Sequence, residues 1–73
     1  MTEFDMHSVV ALLEDLPGDG LLRGQVGTIV GYWAPGVYEV EFSDTDGRTY
    51  ALVMLKAQQL MLLRHKPSQL SAA

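Results

Sequence analysis

Residues 23–42 read RGQVGTIVGYWAPGVYEVEF, and this stretch predicts a β-hairpin. Its second half alternates: Tyr38, Val40 and Phe42 fall on one face of an extended chain, Val37, Glu39 and Glu41 on the other. That is the two-residue period of a strand with one side in a core and one in water. Ahead of it, Pro35 pre-sets its own φ and Gly36 accepts a positive one, as the two central positions of a type II turn require. Residues 25–33 form the preceding strand. Gly24 and Gly27 mark it for a bulge, a bend or a close backbone approach, the devices with which a small barrel closes.

Upstream, residues 7–13 (HSVVALL) are a short apolar run. Its length and the Pro-Gly that soon follows favour a strand over a helix. Residues 14–22 (EDLPGDGLL) contain the turn dipeptides Pro17-Gly18 and Asp19-Gly20. They read as a long surface loop held down by Leu16, Leu21 or Leu22. Of residues 1–6 only Phe4 is a core candidate. Downstream, residues 43–48 (SDTDGR) form a polar hairpin loop on Asp46-Gly47, and residues 49–55 (TYALVML) a fourth strand. Residues 56–59 (KAQQ) suffice for one 3₁₀ turn, residues 60–64 (LMLLR) are a fifth strand, and residues 66–73 a tail. Strand, long loop, three strands joined by tight turns, 3₁₀ turn, strand: the fold class expected is all-β, a small five-stranded SH3-like barrel. Residues 1–6 would be an N-terminal extension and residues 7–65 the barrel.

The chain has 73 residues and no cysteine. A domain this small buries a modest fraction of its surface and commonly relies on disulfides, a metal or association. Without cysteine, disulfides and thiolate metal sites are excluded, which leaves core packing and self-association. Hydrophobic residues make up 48% of the chain, as in a globular domain. No apolar run reaches the roughly 18 residues of a membrane span. The N-terminal MTEFDMHS is acidic where a signal peptide would be basic, so a cytoplasmic location without membrane contact is expected. Net charge is −4, with only five Lys and Arg. Phosphate neutralisation supplies most nucleic-acid affinity, so nucleic acid is disfavoured as a partner.

Asp44-Thr45-Asp46-Gly47 opens like a calcium loop, but an EF-hand would need an oxygen ligand, glycine and glutamate at its fifth, sixth and twelfth positions. Here stand Arg48, Thr49 and Leu55, so a hairpin turn and no metal are expected. Glu14, Asp15 and Asp19 crowd one loop. Acid–base chemistry would need a cleft that perturbs them, and the expectation is a solvated acidic rim facing a basic partner. Tyr32, Trp33 and Tyr38 surround the Pro35-Gly36 turn. Tyr38 suits the core, and Trp33 is a candidate contact residue, or a cap on one barrel end. His7 and His65 stand alone near the ends and should be solvated. Ser8, Thr28 and Ser43 have no evident base, and there is no phosphate loop or cofactor motif. No enzymatic activity and no cofactor are expected.

The last two strands are apolar on both faces. Tyr50, Leu52 and Met54 oppose Ala51, Val53 and Leu55, and Leu60 and Leu62 oppose Met61 and Leu63. Alternation does not tell which set is inside. Leaving all of it bare would exceed the apolar patch a monomer usually shows. Either the C-terminal tail or the long loop covers the outer face, or a second chain does; the favoured expectation is a protein partner or a second copy in a homodimer, with Met61 and Leu63 as candidate interface residues.

The runs VVALLEDLPGDGLLRGQVGTIV, GVYEVEF and DGRTYALVMLKAQQLMLL together resemble a family of short bacterial proteins, common in cyanobacteria, classed as a domain of unknown function. The resemblance covers residues 9–64. It is most specific at residues 13–17 (LEDLP), at Arg23-Gly24-x-x-Gly27-Thr28-x-Val30, and at residues 36–42. It implies a small β-barrel whose relatives often sit beside genes for toxin-like proteins, and it brings no catalytic or binding residues. The Gly-x-x-Gly-Thr-Ile hairpin is also similar to that of ribosomal and transcription-factor modules, but their basic residues are missing. The function expected is a non-catalytic protein–protein interaction module, the antitoxin-like, neutralising partner of a toxin-like protein. The alternative is an accessory docking subunit of an electron-transfer complex.

Overall fold

A computed structural model describes residues 4–64 of the chain. The readings made for His65 and for residues 66–73 lie outside the described residues. Five strands form, β1 (Val9–Leu12), β2 (Val26–Ala34), β3 (Val37–Ser43), β4 (Thr49–Lys56) and β5 (Leu60–Leu62), with 3₁₀ turns at Pro17–Asp19 and Ala57–Gln59. All pairings are antiparallel, in one sheet ordered β4-β3-β2-β1-β5. This is the strand order of an SH3-like barrel, with the expected 3₁₀ turn before the last strand.

The strand ends differ from the sequence reading. β1 is four residues long rather than seven, because His7 takes a positive φ of 68° and breaks the extended run ahead of it. β5 stops at Leu62, and β4 runs on through Lys56.

The β3 alternation holds. Tyr38, Val40 and Phe42 are buried, while Val37, Glu39 and Glu41 are only half-buried. Register then carries this parity across the sheet: Val40 stands opposite Ile29 on β2 and Val53 on β4. Ala51, Val53 and Leu55 therefore face the interior, and Leu52 and Met54 face out, while Tyr50, beside the register break, tilts its ring against Phe42. Val10, Leu12 and Leu60 complete the core from β1 and β5.

Glycine and bulges shape the curl in separate places. Gly27 is a site of close approach. A Cβ there would lie 2.6 Å from Val40 Cγ1 and 3.0 Å from both the Glu41 carbonyl oxygen and Phe42 Cδ1. The Phe42 side chain, cross-strand from Gly27, takes up the room a side chain would need. The register breaks fall elsewhere, between Ile29 and Gly31, between Tyr32 and Ala34, and at Phe42/Ser43, where Tyr50 is the extra residue on β4. At the β2–β3 turn Gly36 has φ 74°, as a type II turn requires.

Residues 14–22 are more ordered than a plain loop. Around the Pro17–Asp19 turn, Leu16 and Leu21 exchange backbone hydrogen bonds of 2.8 and 3.1 Å. Leu21 is fully buried, Leu16 is partly buried against the core, and Leu22 is exposed. The N-terminal segment closes one end of the barrel. Phe4 packs edge-on against Tyr38 (centroids 5.2 Å apart), and Tyr32 meets Tyr38 similarly at 5.4 Å. The Phe4 N–H donates to the Tyr38 hydroxyl at 3.3 Å, and the Tyr32 hydroxyl donates to the Phe4 carbonyl at 2.7 Å. Two aromatic contacts, each worth about 1 kcal/mol beyond area burial, thus come with polar partners for both backbone groups of Phe4. None of the described helices is long and apolar enough to cross a membrane.

Candidate protein-binding surface

Among the described residues no polar or charged residue is buried, and no three His, Asp or Glu side chains stand together as metal ligands would. The side chains available for function lie on the outside of the sheet, where they form two apolar areas.

The first spans β2, β1 and β5. Ala11 on β1 pairs with Val26 on one side and Met61 on the other, so these three form one row across the outer face. Val26 and Met61 are about half exposed, at 46% and 49%. Leu13, two residues beyond Ala11 and also exposed, is anchored where its N–H donates to the Gln59 carbonyl at 2.9 Å. Acids border this row. Glu14 Oε2 accepts from Gln59 Nε2 at 3.1 Å, which draws the carboxylate toward the start of β5. Asp15 Oδ1 accepts from the Arg23 N–H at 2.8 Å, tying the start of the loop to the segment entering β2. Each carboxylate keeps a second oxygen for another partner.

The second area is the outside of β4. Leu52 and Met54 are 55% and 58% exposed. Glu39 and Glu41 lie beside them on β3, opposite Met54 and Leu52. Tyr50, at the bulge, turns away from this area: Gln25 Nε2 donates to its hydroxyl at 3.1 Å and its ring tilts against Phe42.

Of the residues singled out from sequence, the fold brings Glu14 to Gln59, two residues before Met61, and Asp15 to the segment entering β2. Asp19 sits at the 3₁₀ turn on the exposed loop. Leu63 is only half-buried, and its N–H donates to the Val9 carbonyl at 3.0 Å, which makes it a continuation of the β5 ladder. Trp33 is exposed but stands near the far end of β2, about 20 Å along the strand from Val26 at about 3.3 Å per residue. It therefore lies outside the first area, and at 63% exposed it does not cap the barrel interior. Sequence reasoning missed Leu13 and Val26, since a β-branched residue beside Gly27 reads equally well as core until the register is known. The loop around Asp44 is a turn: Asp44 Oδ1 accepts from the N–H groups of Asp46 and Arg48 at 2.9 and 3.0 Å.

The family model described as Domain of unknown function (DUF4926) matches residues 6–62, and the chain belongs to that family. No curated protein matches the chain, and no solved structure does.

Proposed function

We propose that this protein is a non-catalytic binding module that docks a basic protein partner on the outer face of β1 and β5, as a neutralising antitoxin docks a toxin-like protein. The observation that carries this reading is the row Val26–Ala11–Met61, in which Val26 and Met61 stand exposed on either side of a buried Ala11, extended by Leu13 and bordered by Glu14 and Asp15. An apolar centre with a charged rim is the usual anatomy of a binding patch. The net charge of −4 complements a basic partner and speeds its approach.

The test is co-purification from the native cell with the full chain and its Met61→Glu variant as baits. The wild type should retain one stoichiometric basic protein, the variant should lose it, and co-expression with the wild type should relieve that protein's toxicity. Retention of the same protein by both baits rejects the assigned face. A haem or iron–sulfur protein in its place replaces the antitoxin reading with that of a docking subunit in an electron-transfer complex. Replacing Glu14 by Gln and Asp15 by Asn should slow association and flatten its dependence on salt. Asparagine at 15 can still accept from the Arg23 N–H, so this pair tests charge rather than fold.

A further inference from the structure

β4 is an edge strand of eight residues, TYALVMLK, and among the described residues it pairs on one side only, with β3. Edge strands in soluble proteins are normally blunted by shortness, proline, a central bulge or a charge in the middle. The other edge, β5, has only three residues. β4 has neither proline nor charge before Lys56, and its single bulge, at Tyr50, lies at its start.

Which backbone groups β4 leaves open follows from the ladder. The Ala57 N–H donates to the Gly36 carbonyl at 3.0 Å. Hydrogen-bonded and non-bonded pairs alternate along an antiparallel ladder. The N–H and C=O groups of Leu55, Val53 and Ala51 therefore point to β3, and those of Lys56, Met54 and Leu52 point away from the sheet. Leu52 and Met54 are also the most exposed of the large apolar side chains of the strand. Open backbone groups and exposed apolar side chains coincide on the same two residues.

We propose that this edge is occupied by β4 of a second copy of the chain, antiparallel about a two-fold axis at Val53. The strand is self-complementary in that register. An antiparallel partner must set outward-pointing residues against outward-pointing residues, so even-numbered positions pair with even-numbered ones. With Val53 opposite Val53, Leu52 stands opposite Met54 of the second copy, and residues 50–56 overlap throughout. The central pairs exchange about four hydrogen bonds. Leu52 and Met54 of both copies then form one apolar block on the outer face. Lys56, the only charged residue of β4, comes at the end of the overlap opposite position 50 of the second copy, so no like charges meet at the seam. Glu39 and Glu41 sit on β3, one strand back from the seam, so no carboxylates are pressed together there. The two barrels become one continuous ten-stranded sheet. This surface is separate from the β1–β5 face, so the two proposals stand or fall apart.

Sedimentation of the full chain across a concentration series should show a monomer–dimer equilibrium, and Met54→Lys should leave a folded monomer by circular dichroism. The register is tested with L52C and M54C, in a chain that has no other cysteine. Opposite positions in a hydrogen-bonded pair lie about 5.5 Å apart between Cα atoms, within disulfide reach, whereas 52–52 and 54–54 are offset diagonally beyond it. Mild oxidation of the mixed variants should therefore give the mixed dimer several-fold faster than either variant alone gives its own. The Leu52 and Met54 amides of the wild type should also gain protection from hydrogen exchange as concentration rises. A strict monomer, a dimer in which the mixture cross-links no faster than the single variants, or amides unprotected at every concentration each overturns the proposal.

Discussion

Gly27→Ala is the substitution that most directly tests how the barrel is closed. The added methyl would sit 2.6 Å from Val40 Cγ1, and 3.0 Å from the Glu41 carbonyl oxygen and from Phe42 Cδ1. None of these can retreat easily. Val40 and Phe42 are fully buried, Val40 is stiff about χ1, and Glu41 lies in the β2–β3 ladder opposite Thr28. Overpacking of this kind costs about 1–3 kcal/mol, while replacing glycine by alanine in a strand returns roughly 0.5–1 kcal/mol of backbone entropy. Taken from the middle of both ranges, the net loss is about 1–2 kcal/mol. At roughly 0.05–0.15 kcal/mol per residue the whole domain holds only about 4–11 kcal/mol. In a domain of this size each kcal/mol moves the melting temperature by about 4–8 °C, so Tm should fall by about 5–15 °C.

Thermal unfolding followed by far-ultraviolet circular dichroism reads this directly, with Gly18→Ala as the control. A Cβ on Gly18 meets nothing within 4 Å, and its φ is not positive. That variant should match the wild type or gain by about 0.4–1 kcal/mol. A Gly27→Ala protein that melts at or above the wild-type temperature would refute the idea that β2 and β3 need glycine at this crossing.

Two further substitutions probe how the ends of the barrel are held. Tyr38→Phe removes the hydroxyl that accepts from the Phe4 N–H; it should cost about 1 kcal/mol, with faster amide exchange at Phe4 as the local sign. Leu21→Ala should cost about 2–5 kcal/mol, because Leu21 is wholly buried beneath the 14–22 loop. Leu22→Ala, at an exposed position, should change stability by less than about 0.5 kcal/mol. Urea unfolding of the pair would contradict the assignment if the two costs came out alike.

Much of this architecture is legible in local pattern. The Tyr38, Val40, Phe42 alternation, the Pro35-Gly36 turn and the Asp46-Gly47 loop each carry their own physical signature, a period of two or a residue suited to an unusual φ. Together they place β3 and both of its neighbours. Strand ends are less legible, because what ends β1 at its N-terminal side is the positive φ of His7, for which the sequence carries no signal. Gly27 was identifiable as special, but a bulge and a close approach call for the same residue, and only the partner strand distinguishes them.

The sequence by itself determined the element order, the absence of disulfides, the acidic surface and the burial of the β3 face, since each follows from residue type or from spacing along one strand. The tertiary structure alone decided which of two apolar faces on β4 is inside, that Leu21 rather than Leu22 anchors the loop, and that Glu14 reaches the start of β5 while Trp33 stands at the far end of β2. The physical reason is the same in each case. Where every position of a strand is apolar, burial is set by register with neighbours distant in sequence, here Val40 against Val53, and a surface patch exists only once strands from different parts of the chain lie side by side.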